Sequence, residues 1–179
     1  IDFDKEISVI VARNPKGEIS AFPPVELVFH HEANLVEYLF APAQISEAIA
    51  ETAKNIAIDL TQKLEVVGLL AVEMFVTKDG KVLVNEIAPR THNSGHQSIE
   101  SNMTSQFEQQ LRAILDWPLG DTEVIIPSAM VNLLGAEGQK GVAKCEGLHE
   151  TLAVSGAHIH LYGKKMTKPF RKMGHVTVR

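Results

Sequence analysis

Glu73 and Glu86 flank a hairpin signal whose geometry can be worked out from the chain alone. The run Thr77-Lys78-Asp79-Gly80-Lys81 separates two strongly apolar stretches, 67–76 and 82–88, and Asp-Gly suits a two-residue primed turn. With Asp79 and Gly80 as the loop, Lys78 opposes Lys81, opposed residue numbers sum to 159, and Glu73 stands directly across from Glu86. Their expected companions on that face are Ala71, Phe75, Val84 and Ala88, none of which can neutralise a carboxylate. Opposed like charges in an apolar sheet are destabilising unless one takes a proton or a cation lies between them. A hard divalent cation, Mg²⁺ held also by substrate phosphates, suits two carboxylates that form no full protein cage. The competing explanation is a glutamate facing solvent at a sheet edge, or a register slipped by one residue.

Alternation beyond Glu86 carries Ala88, Arg90 and His92 to the same side. Residues 88–96, Ala-Pro-Arg-Thr-His-Asn-Ser-Gly-His, gather guanidinium, imidazole and amide groups beside the acidic pair. That set suits a small planar anion next to a metal-bound phosphate. A polar loop whose side chains merely satisfy backbone groups is the plainer alternative. Near the C-terminal end, Lys164, Lys165, Lys168, Arg171 and Lys172 crowd into nine residues, without the interleaved aromatics that stack on bases. A single phosphate is the better ligand for them than nucleic acid. His30, His31 and Glu32 do not make a convincing zinc site, because adjacent side chains on a strand point opposite ways. His158 and His160 share a strand face that partial exposure accounts for.

These residues need a scaffold. The β-branched run Ile7-Ser-Val-Ile-Val-Ala12 before Asn14-Pro-Lys-Gly17 reads as strand, turn and a second short strand over 18–22, followed after Pro23-Pro24 by another strand over Val25–Phe29. Ile45, Ile49, Ala53, Ile56, Ala57, Leu60 and Leu64 recur at spacings of three and four, one stripe of a helix over 46–64. The two hairpin strands are so continuously apolar that burial on both faces is expected. A helix over 104–115 ends at Trp117-Pro118-Leu119-Gly120, followed by strands at 128–134, 158–163 and 174–178 and a short helix at 148–154. A boundary near 117–127 divides the chain into 1–120 and 121–179. The fold class is α+β: an antiparallel sheet with packed helices, then a small β-rich segment.

The 179 residues are 45% hydrophobic, enough for a core, and 17 Lys plus Arg against 22 Asp plus Glu leave a net charge of −5. No global basic field attracts nucleic acid or an anionic membrane, and no apolar run is long enough for a membrane span. The lone Cys145 has no internal disulfide partner, so a reducing cytoplasm is the expected compartment. The chain opens Ile1-Asp2-Phe3, which suggests a piece of a longer protein.

Five stretches taken in order, 72–75, 84–96, 104–109, 130–135 and 171–175, resemble the 5-(carboxyamino)imidazole ribonucleotide synthases, ATP-grasp enzymes of purine biosynthesis. The resemblance covers essentially the whole chain and implies an ATP-grasp C-terminal subdomain with a small C-terminal domain. It implies a ligase that uses ATP, Mg²⁺ and bicarbonate to carboxylate 5-aminoimidazole ribonucleotide through carboxyphosphate, and a homodimer. By resemblance Glu73 and Glu86 ligate the metal and, with Asn85, face the nucleotide. Arg90, His92 and Asn93 hold bicarbonate or carboxyphosphate, Lys164 lies near the same place, and Arg171 with Lys172 meets the ribonucleotide phosphate. The chain departs from the family where Lys168 and Phe170 stand in place of arginine and glycine. The resemblance also places the adenine-binding half outside this sequence, so that the segment alone is not expected to turn over.

Overall fold

The computed structural model describes residues 1–29 and 35–179; His30, His31 and Glu32 lie outside the described residues. In chain order the strands are β1 (Phe3–Arg13), β2 (Ile19–Ala21), β3 (Val25–Phe29), β4 (Val36–Ala41), β5 (Gly68–Thr77), β6 (Val82–Ala88), β7 (Ser128–Leu134), β8 (Gly141–Val142), β9 (Ala157–Leu161), β10 (Met166–Thr167) and β11 (Lys172–Val178). The helices are α1 (Glu47–Lys63), α2 (Ser98–Ser101), α3 (Gln106–Ile114) and α4 (Leu148–Leu152), with a 3₁₀ turn at Asn93–Gly95. One antiparallel sheet runs β6-β5-β1-β3-β4-β7-β11-β9, with β2 also on β1, while β8 and β10 pair separately. The sheet is not interrupted near residue 120, because β7 pairs with β4 through Tyr38–Val131 and Leu39–Met130.

Helix α1 covers one face of the sheet. Ser46 caps it by accepting from the Ile49 N–H, Glu47 occupies the first turn and Lys63 the last, matching the helix dipole at both ends. Ala53 and Ala57 are fully buried against Ile7, Val9, Val11, Leu70, Val72 and Met74. Burying each large aliphatic side chain there contributes about 1.5–3 kcal/mol. Helix α3 covers part of the opposite face, where Ala113 meets Ile10, Ala12, Leu69 and Ala71. Its other buried side chains are Gln106 and Gln109, while Phe107 and Leu111 face outward at 39% and 52% exposure. Gln109 accepts from the Gly120 N–H and donates to the Gly120 carbonyl, both at 2.8 Å, so it fastens the chain beyond the helix.

The acidic hairpin differs in detail from the expected one. Gly80 N–H donates to the Thr77 carbonyl and Thr77 N–H to the Lys81 carbonyl, and Gly80 has φ 79°, so the loop holds three residues, 78–80, and ends in a left-handed glycine. Pairs next to the loop, Val76–Val82 and Met74–Val84, sum to 158, one short of the two-residue register. A bulge at Asn85 then restores the sum of 159 and leaves Glu73 opposite Glu86. The turn-side register puts Val84 on the other face, opposite Met74, and Leu83 with Phe75 on the acidic side. Strand β5 is buried on both faces as expected, but β6 is the sheet edge, and its Leu83, Val84 and Ile87 are 38–44% exposed, which overturns the same expectation for β6. Apolar composition reports only what a strand can bury, whereas edge position decides what it does bury. Strand β4 was not anticipated; it pairs with β3, the strand just before it, and with the distant β7.

Candidate active site

Beyond the end of α3, the sheet face carries an acidic cluster. Glu6, Ser8 and Ile10 of β1 pair with Phe75, Glu73 and Ala71 of β5, so all share the face that holds Glu86. Glu73 is 7% exposed, and its carboxyl is pushed up to about 7, first by burial and then by Glu86 and Glu6. Burial, followed in effect by Glu86, also raises Glu6, partly offset by a hydrogen bond from Asn85 Nδ2 at 3.3 Å. The extra residue of the bulge is thus the one that reaches the third carboxylate.

The loop after β6 folds back over this face. His92 caps the 3₁₀ turn by accepting at Nδ1 from the Ser94 N–H, which leaves Nε2–H toward Glu73 Oε1 at 3.5 Å. Burial first, then Arg90 and Lys172, holds this imidazole down near 4, so it is neutral at physiological pH. Ligating atoms of Glu73, Glu86 and His92 lie within 4.8 Å of one another. Gln106 holds the loop in place: its Oε1 accepts from the His92 N–H at 2.9 Å, and its Nε2 donates to the His92 carbonyl at 2.7 Å and to His96 Nδ1 at 2.9 Å. Ser94 Oγ bridges to Ser8 Oγ at 2.8 Å.

Asn93 joins this loop to the C-terminal strands. It exchanges two amide hydrogen bonds with Asn132 of β7, at 2.8 and 2.9 Å, and Asn132 also donates to the Val36 carbonyl. Lys172 Nζ donates to Asn93 Oδ1 at 3.3 Å, and burial lowers the pKa of that ammonium. Lys164 Nζ donates to the Lys172 carbonyl and lies 5.4 Å from the centre of the Tyr162 ring. The face therefore sets carboxylates against cations, an arrangement able to hold a metal ion beside an anionic ligand.

Of the residues singled out from sequence, Glu73, Asn85, Glu86, Arg90, His92, Asn93, Lys164 and Lys172 form one connected neighbourhood. Arg90 lies close enough to act on the charges of Glu73, His92 and Lys172, and its Nη1 donates to the Thr91 carbonyl. Arg171 instead donates to the Met166 carbonyl at 2.9 Å, so adjacent residues of the basic pair part company. The turn before it has Pro169 at its second position and Phe170, at φ 59°, at its third, where glycine is favoured. It is closed by Arg171 N–H to Lys168 O, and clasped by Phe170 N–H to Gly135 O and Gly135 N–H to Arg171 O. A Cβ on Gly135 would sit 2.1 Å from the Lys168 carbonyl oxygen, so only glycine admits the clasp. Phe170 keeps the left-handed backbone at a cost of about 1–2 kcal/mol.

Sequence reasoning missed Gln106, Glu6, Asn132 and a stack of histidines. His175, 2% exposed, lies between His160, with ring centres 4.5 Å apart, and His96, at 4.9 Å. His160 Nε2 meets Glu100 Oε1 at 2.6 Å, and the Tyr162 hydroxyl meets His175 Nδ1 at 2.9 Å. Gln106, Asn132, His96 and His175 fall inside the stretches that carry the resemblance, but their roles depend on contacts between segments distant in sequence.

Comparison with known proteins bears on this geometry. Residues 1–107 match the ATP-grasp domain, and residues 128–179 match the phosphoribosylaminoimidazole carboxylase C-terminal domain. N5-carboxyaminoimidazole ribonucleotide synthase of Bacillus subtilis is 45% identical over 177 residues, which is 99% of this chain and 44% of that protein. The crystal structure of the corresponding synthetase from Thermotoga maritima is 52% identical, with a TM-score of 0.92 over 99% of this chain and 47% of that one. The Aspergillus clavatus synthase, solved in complex with ADP and 5-aminoimidazole ribonucleotide, is 38% identical with a TM-score of 0.90, covering 98% of this chain and 47% of that one. The chain thus spans somewhat less than half the length of these relatives, and it belongs to the ATP-grasp family, in the branch of the N5-carboxyaminoimidazole ribonucleotide synthases.

Proposed function

We propose that this chain is the metal-binding and carboxylating part of an ATP-dependent ligase that joins bicarbonate to 5-aminoimidazole ribonucleotide through carboxyphosphate in de novo purine biosynthesis. The observation that carries the reading is the opposed pair Glu73 and Glu86, with neutral His92 against one carboxylate and the Asn93–Lys172 contact beside it. The ligands of the A. clavatus relative support it.

The residues present fit Mg²⁺. Glu73 and Glu86 offer hard oxygen donors, and Glu73 is held near 7 first by burial and then by Glu86 and Glu6, which Lys172 and Arg90 only partly offset. Bound there, Mg²⁺ supplies charge neutralisation at the transferred phosphoryl group. His92 donates to Glu73 rather than ligating, because its lone pair is engaged by Ser94. Arg90 stabilises the anion of bicarbonate or carboxyphosphate, and Asn93, pinned by Asn132, orients it. Lys164 balances charge at the carboxylation centre, and of the basic pair Lys172 is the one placed beside it to meet the ribonucleotide phosphate, since Arg171 is turned to the Met166 carbonyl. Asn85 faces the nucleotide across Glu6. Water must be kept from carboxyphosphate, so the amine has to receive CO₂ inside a closed site. The same reading takes the working form to be a cytoplasmic homodimer, where the exposed Cys145 stays reduced. No helix among the described residues is long and apolar enough to cross a membrane.

The test is ADP release by the longer chain containing this segment, given ATP and bicarbonate with and without 5-aminoimidazole ribonucleotide. Release that depends on the ribonucleotide is expected. Release supported instead by biotin or formate would identify a different ATP-grasp ligase.

A further inference from the structure

We infer that Tyr162 is a positioning residue for Lys164, with its ring acting as the platform that fixes the ammonium at the carboxylation centre. The inference rests on the role given to Lys164 above. Tyr162 and Gly163 separate Lys164 from the end of β9, and Gly163, at φ 66°, turns the chain so that the lysine folds back over the ring two residues before it. Its Nζ lies 5.4 Å from the ring centre, within the range of cation–π attraction, and donates to the Lys172 carbonyl. Lys172 in turn reaches Asn93. A lysine on four rotatable bonds is ordered only where something holds its tip, and these two contacts hold it.

The platform is itself fixed. Tyr162 N–H donates to the Met173 carbonyl at 2.9 Å, and its hydroxyl meets His175 Nδ1. His175 cannot move aside, because His160 and His96 flank its ring and Glu100 anchors His160. This polar stack touches none of the acidic residues of the metal face, so the reaction as described leaves it without a task. Packing against the Tyr162 ring, whose centre lies 5.8 Å from that of His175 and 6.1 Å from that of His96, gives it one that does not need the hydroxyl. Two functions separate on one side chain: the ring positions Lys164, whereas the hydroxyl satisfies buried His175.

Tyr162→Phe and Tyr162→Leu in the longer chain distinguish them, with Lys164→Ala measured alongside. Both Tyr162 variants lose the bond to His175 and should melt lower than wild type. Tyr162→Phe keeps the ring and should leave the KM for bicarbonate within about two-fold, while Tyr162→Leu should raise it about five-fold or more with the KM for ATP unchanged. Equal KM increases in the two variants would overturn the platform and indicate general loosening. An unchanged KM in Tyr162→Leu, with Lys164→Ala impaired, would overturn the inference and leave the role of Lys164 standing. If Lys164→Ala itself leaves bicarbonate use unchanged, both the inference and that role fall.

Discussion

Glu73 and Glu86 show how one residue pair can cost stability in return for a site. A carboxyl raised to about 7 in the folded chain is protonated there while the unfolded chain, near its ordinary 4.5, has already ionised. Between those values the folded state binds more protons, so the stability from Glu73 falls as pH rises through 4.5 to 7 and is lowest above 7. Glu86→Gln removes the nearest like charge while keeping the strand pairing. At pH 8 without divalent cations, the variant should unfold at higher urea than wild type, by about 1 kcal/mol. Added Mg²⁺ should stabilise wild type and have little effect on the variant, and ribonucleotide-dependent activity of the longer chain should be lost. A variant less stable than wild type at pH 8 would show that Glu86 serves the hairpin rather than the metal.

At the scale of elements, the site loop is positioned by close approach rather than by regular structure. Gly95 ends the 3₁₀ turn directly over β1: an added Cβ would lie 2.4 Å from Ile10 Cδ1 and 2.8 Å from the Gln106 amide. Neither neighbour yields cheaply, since Ile10 is 4% exposed and Gln106 is committed to His92 and His96. Gly95→Ala should therefore destabilise the fold by about 1–3 kcal/mol, the range for overpacking a core. It should also push His92 away from Glu73, readable as a His92 ring titration moved up from about 4 toward the ordinary 6.5 in NMR. An unchanged urea midpoint would mean that the loop is looser than this packing requires. The three-residue turn and the Asn85 bulge teach a related lesson, because each shifts the register by one and the two shifts cancel at Glu73.

For the whole molecule, the sheet must coil. Glu73 on β5 and Lys172 on β11 are five strand spacings apart in sheet order, about 24 Å if the sheet were flat. Yet Lys172 acts on the charge of Glu73 and bonds to Asn93, whose neighbour His92 reaches that glutamate. Sheet twist and the crossing loop close the gap. The seam between this loop and β7, β9 and β11 is lined by imidazoles kept neutral: burial first holds His175 near 3 and His96 near 4. The unfolded chain protonates these rings near 6.5, so their contribution is complete above that value and is lost as pH falls through it toward 3–4. Comparing urea unfolding at pH 7.5 and 5.5, His175→Asn should lose about 1.4 kcal/mol less than wild type on acidification. His92, His96 and the opposite-signed Glu73 shift both proteins alike and cancel in that difference. Equal losses would mean that His175 takes up its proton without disturbing the stack.

What local sequence could reveal here was whatever depends on neighbours along the chain. Helix α1 was legible because its stripe, its Ser46 cap and its end charges all lie within one segment. The facing of Glu73 and Glu86 was expected from a two-residue turn that the chain does not form, and it holds because the Asn85 bulge offsets the three-residue turn. The resemblance carried the loop residues Arg90, His92 and Asn93 by motif alone. Tertiary structure decided the rest, because the remaining interactions join residues far apart in sequence. Asn132 meets Asn93 across 39 positions, and His160 meets Glu100 across 60. Edge position left β6 exposed despite its apolar side chains, and a clasp on Gly135 sent Arg171 toward Met166 while Lys172 turned to Asn93. Composition says what each side chain can bury or bind, but only the assembled sheet determines which partners come within reach.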